Sequence, residues 1–89
     1  MIENFLDARD LEHPQPLEEG IKALRELDDN SYFYMIHRKN PIPLINMAKE
    51  QNFSIVNYQE RDDMWHILIS KRDDIDLEEF LCLNRMDSH

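Results

Sequence analysis

Glycine occurs once, at Gly20, and cysteine once, at Cys82, in a chain of 89 residues. A single glycine rules out the glycine-rich phosphate loops of the Rossmann and P-loop kinds, whose backbones must approach a phosphate closely. A single cysteine rules out an internal disulfide and any zinc site built from several thiolates, and it suits a reducing compartment. Basic residues are also scarce. Ten lysines and arginines stand against nineteen carboxylates, for a formal net charge of −9. With no long basic run to offset that field, nucleic acid and anionic membranes are poor partners. No apolar run approaches the roughly 20 residues of a membrane span. The stretch from Met1 to Phe5 lacks the charged and apolar regions of a signal peptide, so a cytoplasmic location is expected. A chain of this length forms one domain that removes about 60 to 65% of its unfolded surface from water, enough for one compact core. Internal repeats and low-complexity linkers are missing, and the charged segment from Lys71 to Asp76 is the nearest thing to a boundary.

What remains is organised around LDARDLEHPQPL, residues 6–17. Ile2, Phe5 and Leu6 mark a short strand ending near Asp7. Pro14 and Pro16 then favour a switch from extended chain to a first helical turn, which puts His13 at a helix mouth. Leu17, Ile21, Leu24 and Leu27 recur at spacings of four, three and three and so share one helical face. Glu18 and Glu19 fall in the expected first turn, where the helix dipole favours carboxylates. The run from Asp28 to Ser31 ends the helix with side chains that compete for backbone hydrogen bonds.

Tyr32 to His37 is aromatic and β-branched and reads as a second strand, apolar on both faces as a central strand would be. Asn40 reads as the N-cap of a second helix, with Pro41 at the first helical position, Leu44, Met47 and Ala48 on one face, and an end near Gln51. Phe53 to Tyr58 and Trp65 to Ser70 read as two strands of an antiparallel hairpin joined by the polar loop from Gln59 to Asp63. In the last strand Trp65, Ile67 and Ile69 are expected to face the helices. The order β-α-β-α-β-β, with a right-handed crossover making the first two strands parallel, predicts an α+β fold. It is a two-layer α/β sandwich with a mixed four-stranded sheet and two helices on one face. Asp76 to Glu79 form a D-x-x-E capping box that predicts an extra C-terminal helix, able to shield the open sheet face or meet a second subunit. The expected division is a two-layer domain over residues 1–71 and a helical extension over 72–89.

The succession of elements, with Leu6, Asp7, Arg9, Leu11, Pro14 and Pro16 at its start, resembles the TusA-like, or SirA-like, sulfur-carrier superfamily. Two positions depart from that pattern: His13 stands where the sulfur-bearing cysteine would be, and Asp10 where a glycine would be. His37, Pro41, Pro43, Leu44 and Trp65 are similar to an uncharacterised branch that lacks the cysteine. The resemblance covers roughly residues 6–71. It implies the two-layer fold, and through His13 it implies a scaffold kept without its sulfur relay.

A persulfide carrier needs a thiolate, which imidazole cannot replace. Cys82, between Leu81 and Leu83 in the predicted tail helix, reads as a small buried apolar residue. The topology gathers Arg9, His13, His37, Arg38 and Lys39 at one end of the sheet, where an anion or an acidic side chain could bind. The plainer alternative is that Arg9 pairs with a neighbouring carboxylate and that Arg38 and Lys39 form a solvated turn. His13 and His37 alone are too few ligands for zinc. His66 and His89 are expected to be solvent-exposed or at an interface. No Ser-His-Asp spacing supports hydrolysis. The leading expectation is therefore a non-catalytic binding or accessory module with no cofactor, a protein partner and the option of a homodimer. The alternatives are a sulfur-transfer or redox relay protein and a histidine-based metal or haem sensor.

Overall fold

The computed structural model describes residues 2–12 and 14–72. The elements run β1 (Ile2–Asp7), α1 (Gln15–Glu26), β2 (Ser31–His37), α2 (Ile42–Glu50), β3 (Ser54–Arg61) and β4 (Met64–Ser70). They form the expected α+β two-layer sandwich, with the strands ordered β1-β2-β4-β3. β1 runs parallel to β2 from the Ile2–Ser31 pair to the Asp7–Ile36 pair. β4 is antiparallel to both of its neighbours. β2 and β4 are thus the interior strands, which is why their sequences are apolar on both faces.

Both helices cover the same sheet face. Phe33 and Met35 of β2 and Ile67 and Ile69 of β4 are buried there with Leu24 and Leu27 from the first helical segment and Leu44 and Ala48 from α2. Burial of each large side chain is worth about 1.5–3 kcal/mol, so this layer is the main stabilising feature of the fold. Gly20 lies at the contact between the helices: a Cβ there would sit 2.6 Å from Leu44 Cδ2 and 2.9 Å from Leu44 Cδ1. The chain's only glycine lets the leucine of α2 seat directly on the backbone of α1.

Pro16 sits in the first turn of α1, where its missing amide breaks no intrahelical bond. Of the two glutamates expected in that turn, Glu18 lies in it and Glu19 falls just beyond, because the helix begins at Gln15. The helix stops where Leu27 turns extended. Asp28 Oδ1 then accepts the Asn30 amide at 2.8 Å, an Asx turn that leads into β2.

The start of α2 corrects the sequence reading. Pro41, not Asn40, occupies the cap position, and among the described residues no side chain caps the helix. Asn40 Oδ1 instead accepts from Asn57 Nδ2 on β3 at 2.9 Å, and Pro43, three residues on, has no amide for it to cap. The far end of α2 closes as a Schellman motif. Asn52 is left-handed with φ 63°, while Phe53 N–H donates to the Ala48 carbonyl and Asn52 N–H to that of Lys49, both at 3.0 Å.

The hairpin is tighter than the sequence suggests. β3 continues to Arg61, with an irregularity between Gln59 and Arg61, so residues 62–63 alone make the turn where a loop from Gln59 to Asp63 was expected. His66 also differs from expectation. It is 5% exposed, with its Nδ1 2.6 Å from the Tyr34 hydroxyl, its ring stacked on Tyr58 at 4.7 Å and its Nε2 3.5 Å from Glu60 Oε1. Aromatic neighbours on both adjoining strands bury it. The predicted tail helix, its docking and Cys82 lie outside the described residues.

Candidate functional site

Parallel pairing of β1 and β2 brings their carboxyl ends side by side, and the two β-to-α turns that follow enclose an open cleft of about 490 Å³. Its floor is apolar, made by Leu11, Pro16, Leu17, Pro43 and Leu44, and its rim carries Arg9, His37, Arg38, Lys39 and Asn40. Four of the five residues expected to form a binding site therefore line one cleft. The fifth, His13, lies outside the described residues.

The rim cations differ in what they can still do. Arg9 is engaged by its neighbour: Nε and Nη2 donate to the two Asp7 carboxylate oxygens at 2.9 and 2.7 Å, and the Arg9 amide donates to Oδ1 at 3.2 Å. These bonds hold the Asp7 carboxyl down to about 2, and the carboxylate in turn raises the Arg9 guanidinium. For Arg9 the plainer expectation of a local pair holds. Arg38 meets Asp10 at a loose 3.6 Å with both side chains largely in solvent, a pairing that contributes little. Lys39 makes no ion pair among the described residues. Free positive charge in the cleft thus comes mainly from Arg38 and Lys39.

His37 sits between those cations and the floor. Its Nδ1 accepts the Lys39 backbone amide at 3.1 Å, which places the ring proton on Nε2 in the neutral form. Burial pushes its pKa down, and the positive charges of Lys39 and Arg38 push it further in the same direction. At neutral pH the ring is an uncharged donor at the cleft wall.

The helix mouths contribute less than the sequence suggests. Both helices carry a proline in the first turn, which removes an amide from each. The polar groups at the rim are therefore chiefly side chains. Among the described residues no group of three His, Cys, Asp or Glu side chains stands close enough to hold a metal ion, and no helix is long and apolar enough to cross a membrane.

A family model described as an uncharacterised conserved protein, DUF2249, matches residues 5–71. The chain belongs to the DUF2249 family. No curated protein and no solved structure matches it. The DUF2249 match takes in the cleft and all but the first residues of β1. The apolar floor was the part of the site that sequence reasoning missed. Its signal was the repeated Pro-x-Pro, at Pro14–Pro16 and Pro41–Pro43, each followed directly by a leucine that lines the cleft.

Proposed function

We propose that this DUF2249 chain is a non-catalytic binding module whose cleft receives an apolar group ending in an anion. The observation that carries the reading is the cleft itself. In a protein of net charge −9, it places Arg38, Lys39 and the Nε2–H donor of His37 around a floor of leucine and proline. Clefts that are mostly apolar with a few convergent polar groups are the usual form of small-ligand sites. The same chemistry is offered by a fatty carboxylate and by an acidic side chain flanked by apolar residues on a protein partner.

The reading includes a scaffold akin to the TusA-like sulfur carriers without their relay. Its support is the position of LDARDLEHPQPL between β1 and α1, with His13 in place of cysteine. A cytoplasmic setting belongs to the same reading, since a single cysteine suits a reducing compartment.

Calorimetric titration with octanoate and, separately, with a short acidic peptide containing leucine tests the proposal and distinguishes the two sources. Binding of either ligand that Arg38→Gln with Lys39→Gln weakens by about tenfold supports it, since two charge-assisted contacts would be lost. Failure of both ligands to bind, or equal binding by the double variant, refutes it.

A further inference from the structure

The two edges of the sheet are not alike. β3 carries an irregularity near Glu60 and Arg61 that interrupts its regular pairing, one of the ways natural sheets blunt an edge. β1 has no such irregularity, and its charged residues are the two acids Glu3 and Asp7. It is six residues in unbroken register with β2, contains no lysine or proline, and leaves Ile2 61% and Phe5 53% exposed.

The direction of its backbone groups follows from two bonds. The Ile2 amide donates to the Asn30 carbonyl and the Ala8 amide to that of Ile36, so even-numbered residues of β1 address β2. By strand alternation the N–H and C=O groups of Glu3, Phe5 and Asp7 point out of the sheet. Beside this edge runs a second cleft, of about 340 Å³, between β1 and one stripe of α1, with Phe33 in its lining. Glu19, Lys22 and Glu26 form the helix side. Neither glutamate makes an ion pair among the described residues, and Glu3 on the strand already accepts the Tyr32 hydroxyl at 2.8 Å.

We propose that β1 is a docking edge that accepts an extended, basic segment of a partner protein as a fifth, antiparallel strand. Glu3, Phe5 and Asp7 would supply the backbone ladder. Side chains of the incoming strand alternate between the faces, so basic residues would reach Glu19 and Glu26, on either side of Lys22, while the intervening apolar ones lie by Phe5. Charge decides against a second copy of this chain. Two β1 strands paired about their centre would bring Glu3, Asp7, Glu19 and Glu26 of both copies together, each copy carrying a net charge of −9. This surface is separate from the cleft at Arg38 and Lys39 and does not depend on what that cleft binds.

The test is fluorescence anisotropy of the full chain with a labelled acetyl-Lys-Val-Lys-Thr-Lys-Val-Lys-amide, alongside its glutamate counterpart and a version N-methylated on alternate residues. Light scattering on the protein alone accompanies it. The expected result is salt-sensitive binding of the basic peptide only, lost on N-methylation. Glu19→Gln with Glu26→Gln should weaken it about threefold to tenfold. Phe5→Pro deletes an outward amide without touching the β2 ladder and should weaken it at least about fivefold. Should Phe5→Pro unfold the chain, the N-methylated peptide and the exposed glutamate pair still decide. The proposal is overturned by absence of binding at about 1 mM peptide, by binding that the glutamate double variant leaves unchanged, or by a dimer of this chain occupying the edge.

Discussion

Gly20→Ala should destabilise the protein, although the substitution improves helix propensity. Alanine gains about 1 kcal/mol over glycine in a helix interior. Here the added methyl would meet Leu44 Cδ2 at 2.6 Å, Cδ1 at 2.9 Å and Cγ at 3.3 Å. Leu44 is packed into the core beneath the cleft, so the methyl requires that α1 and α2 separate slightly or that Leu44 leave its rotamer. Overpacking of this kind costs about 1–3 kcal/mol. The balance is a net loss of about 1 kcal/mol, or about 4–8 °C in Tm for a domain of this size. The sign should reverse once the obstacle is removed. In a Leu44→Ala background, itself about 2–5 kcal/mol less stable, Gly20→Ala should stabilise by about 1 kcal/mol, which makes the coupling between the sites about 2 kcal/mol. Urea unfolding of the four proteins measures it, with Leu44→Val as a milder background if Leu44→Ala leaves too little folded protein. A stabilising Gly20→Ala in the otherwise native chain, additive with Leu44→Ala, would refute the argument that glycine is required for the helix contact.

Three further outcomes follow from the same geometry. Asn52→Gly should stabilise by up to about 1 kcal/mol and Asn52→Val should destabilise, since position 52 is left-handed; thermal melts compare the two. His37 should titrate below its ordinary 6.5 by NMR. Because the unfolded chain takes up that proton first, the contribution of His37 to stability is complete above about pH 6.5 and declines as pH falls through the lowered folded value. Replacing Lys39 by Gln should move the titration part of the way back, burial being the larger cause. Asp7 should titrate near 2, and Arg9→Gln should return it toward 3.8. The stability it contributes is present above about pH 4 and lost as pH falls toward 2; the carboxyl's own NMR titration is the measurement.

Much of the architecture was legible because local and tertiary preferences agree. The spacing of Leu17, Ile21, Leu24 and Leu27, the alternation of Trp65, Ile67 and Ile69 and the two proline-led helix starts each point to the element that forms. The convergence of Arg9, His37, Arg38 and Lys39 was legible for a topological reason: a crossover that makes β1 and β2 parallel must bring their following turns together. What escaped was set by partners distant in sequence. Asn40 has the chemistry of an N-cap, yet its Oδ1 is taken up by Asn57 on β3. His66 reads as a polar residue on an outer face until the register of β2 against β4 brings Tyr34 to its Nδ1. The split among the rim cations was likewise hidden, because pairing of Arg9 with Asp7 depends on how the chain turns after β1.

The most direct test of the binding reading is a two-dimensional amide NMR titration of the full chain with octanoate and with the acidic leucine-containing peptide. The account predicts that shifts for at least one ligand concentrate at Leu11, Leu17 and residues 37–44, and that they vanish in the Arg38→Gln, Lys39→Gln double variant. Shifts scattered over the sheet, or the same pattern in that variant, would contradict it.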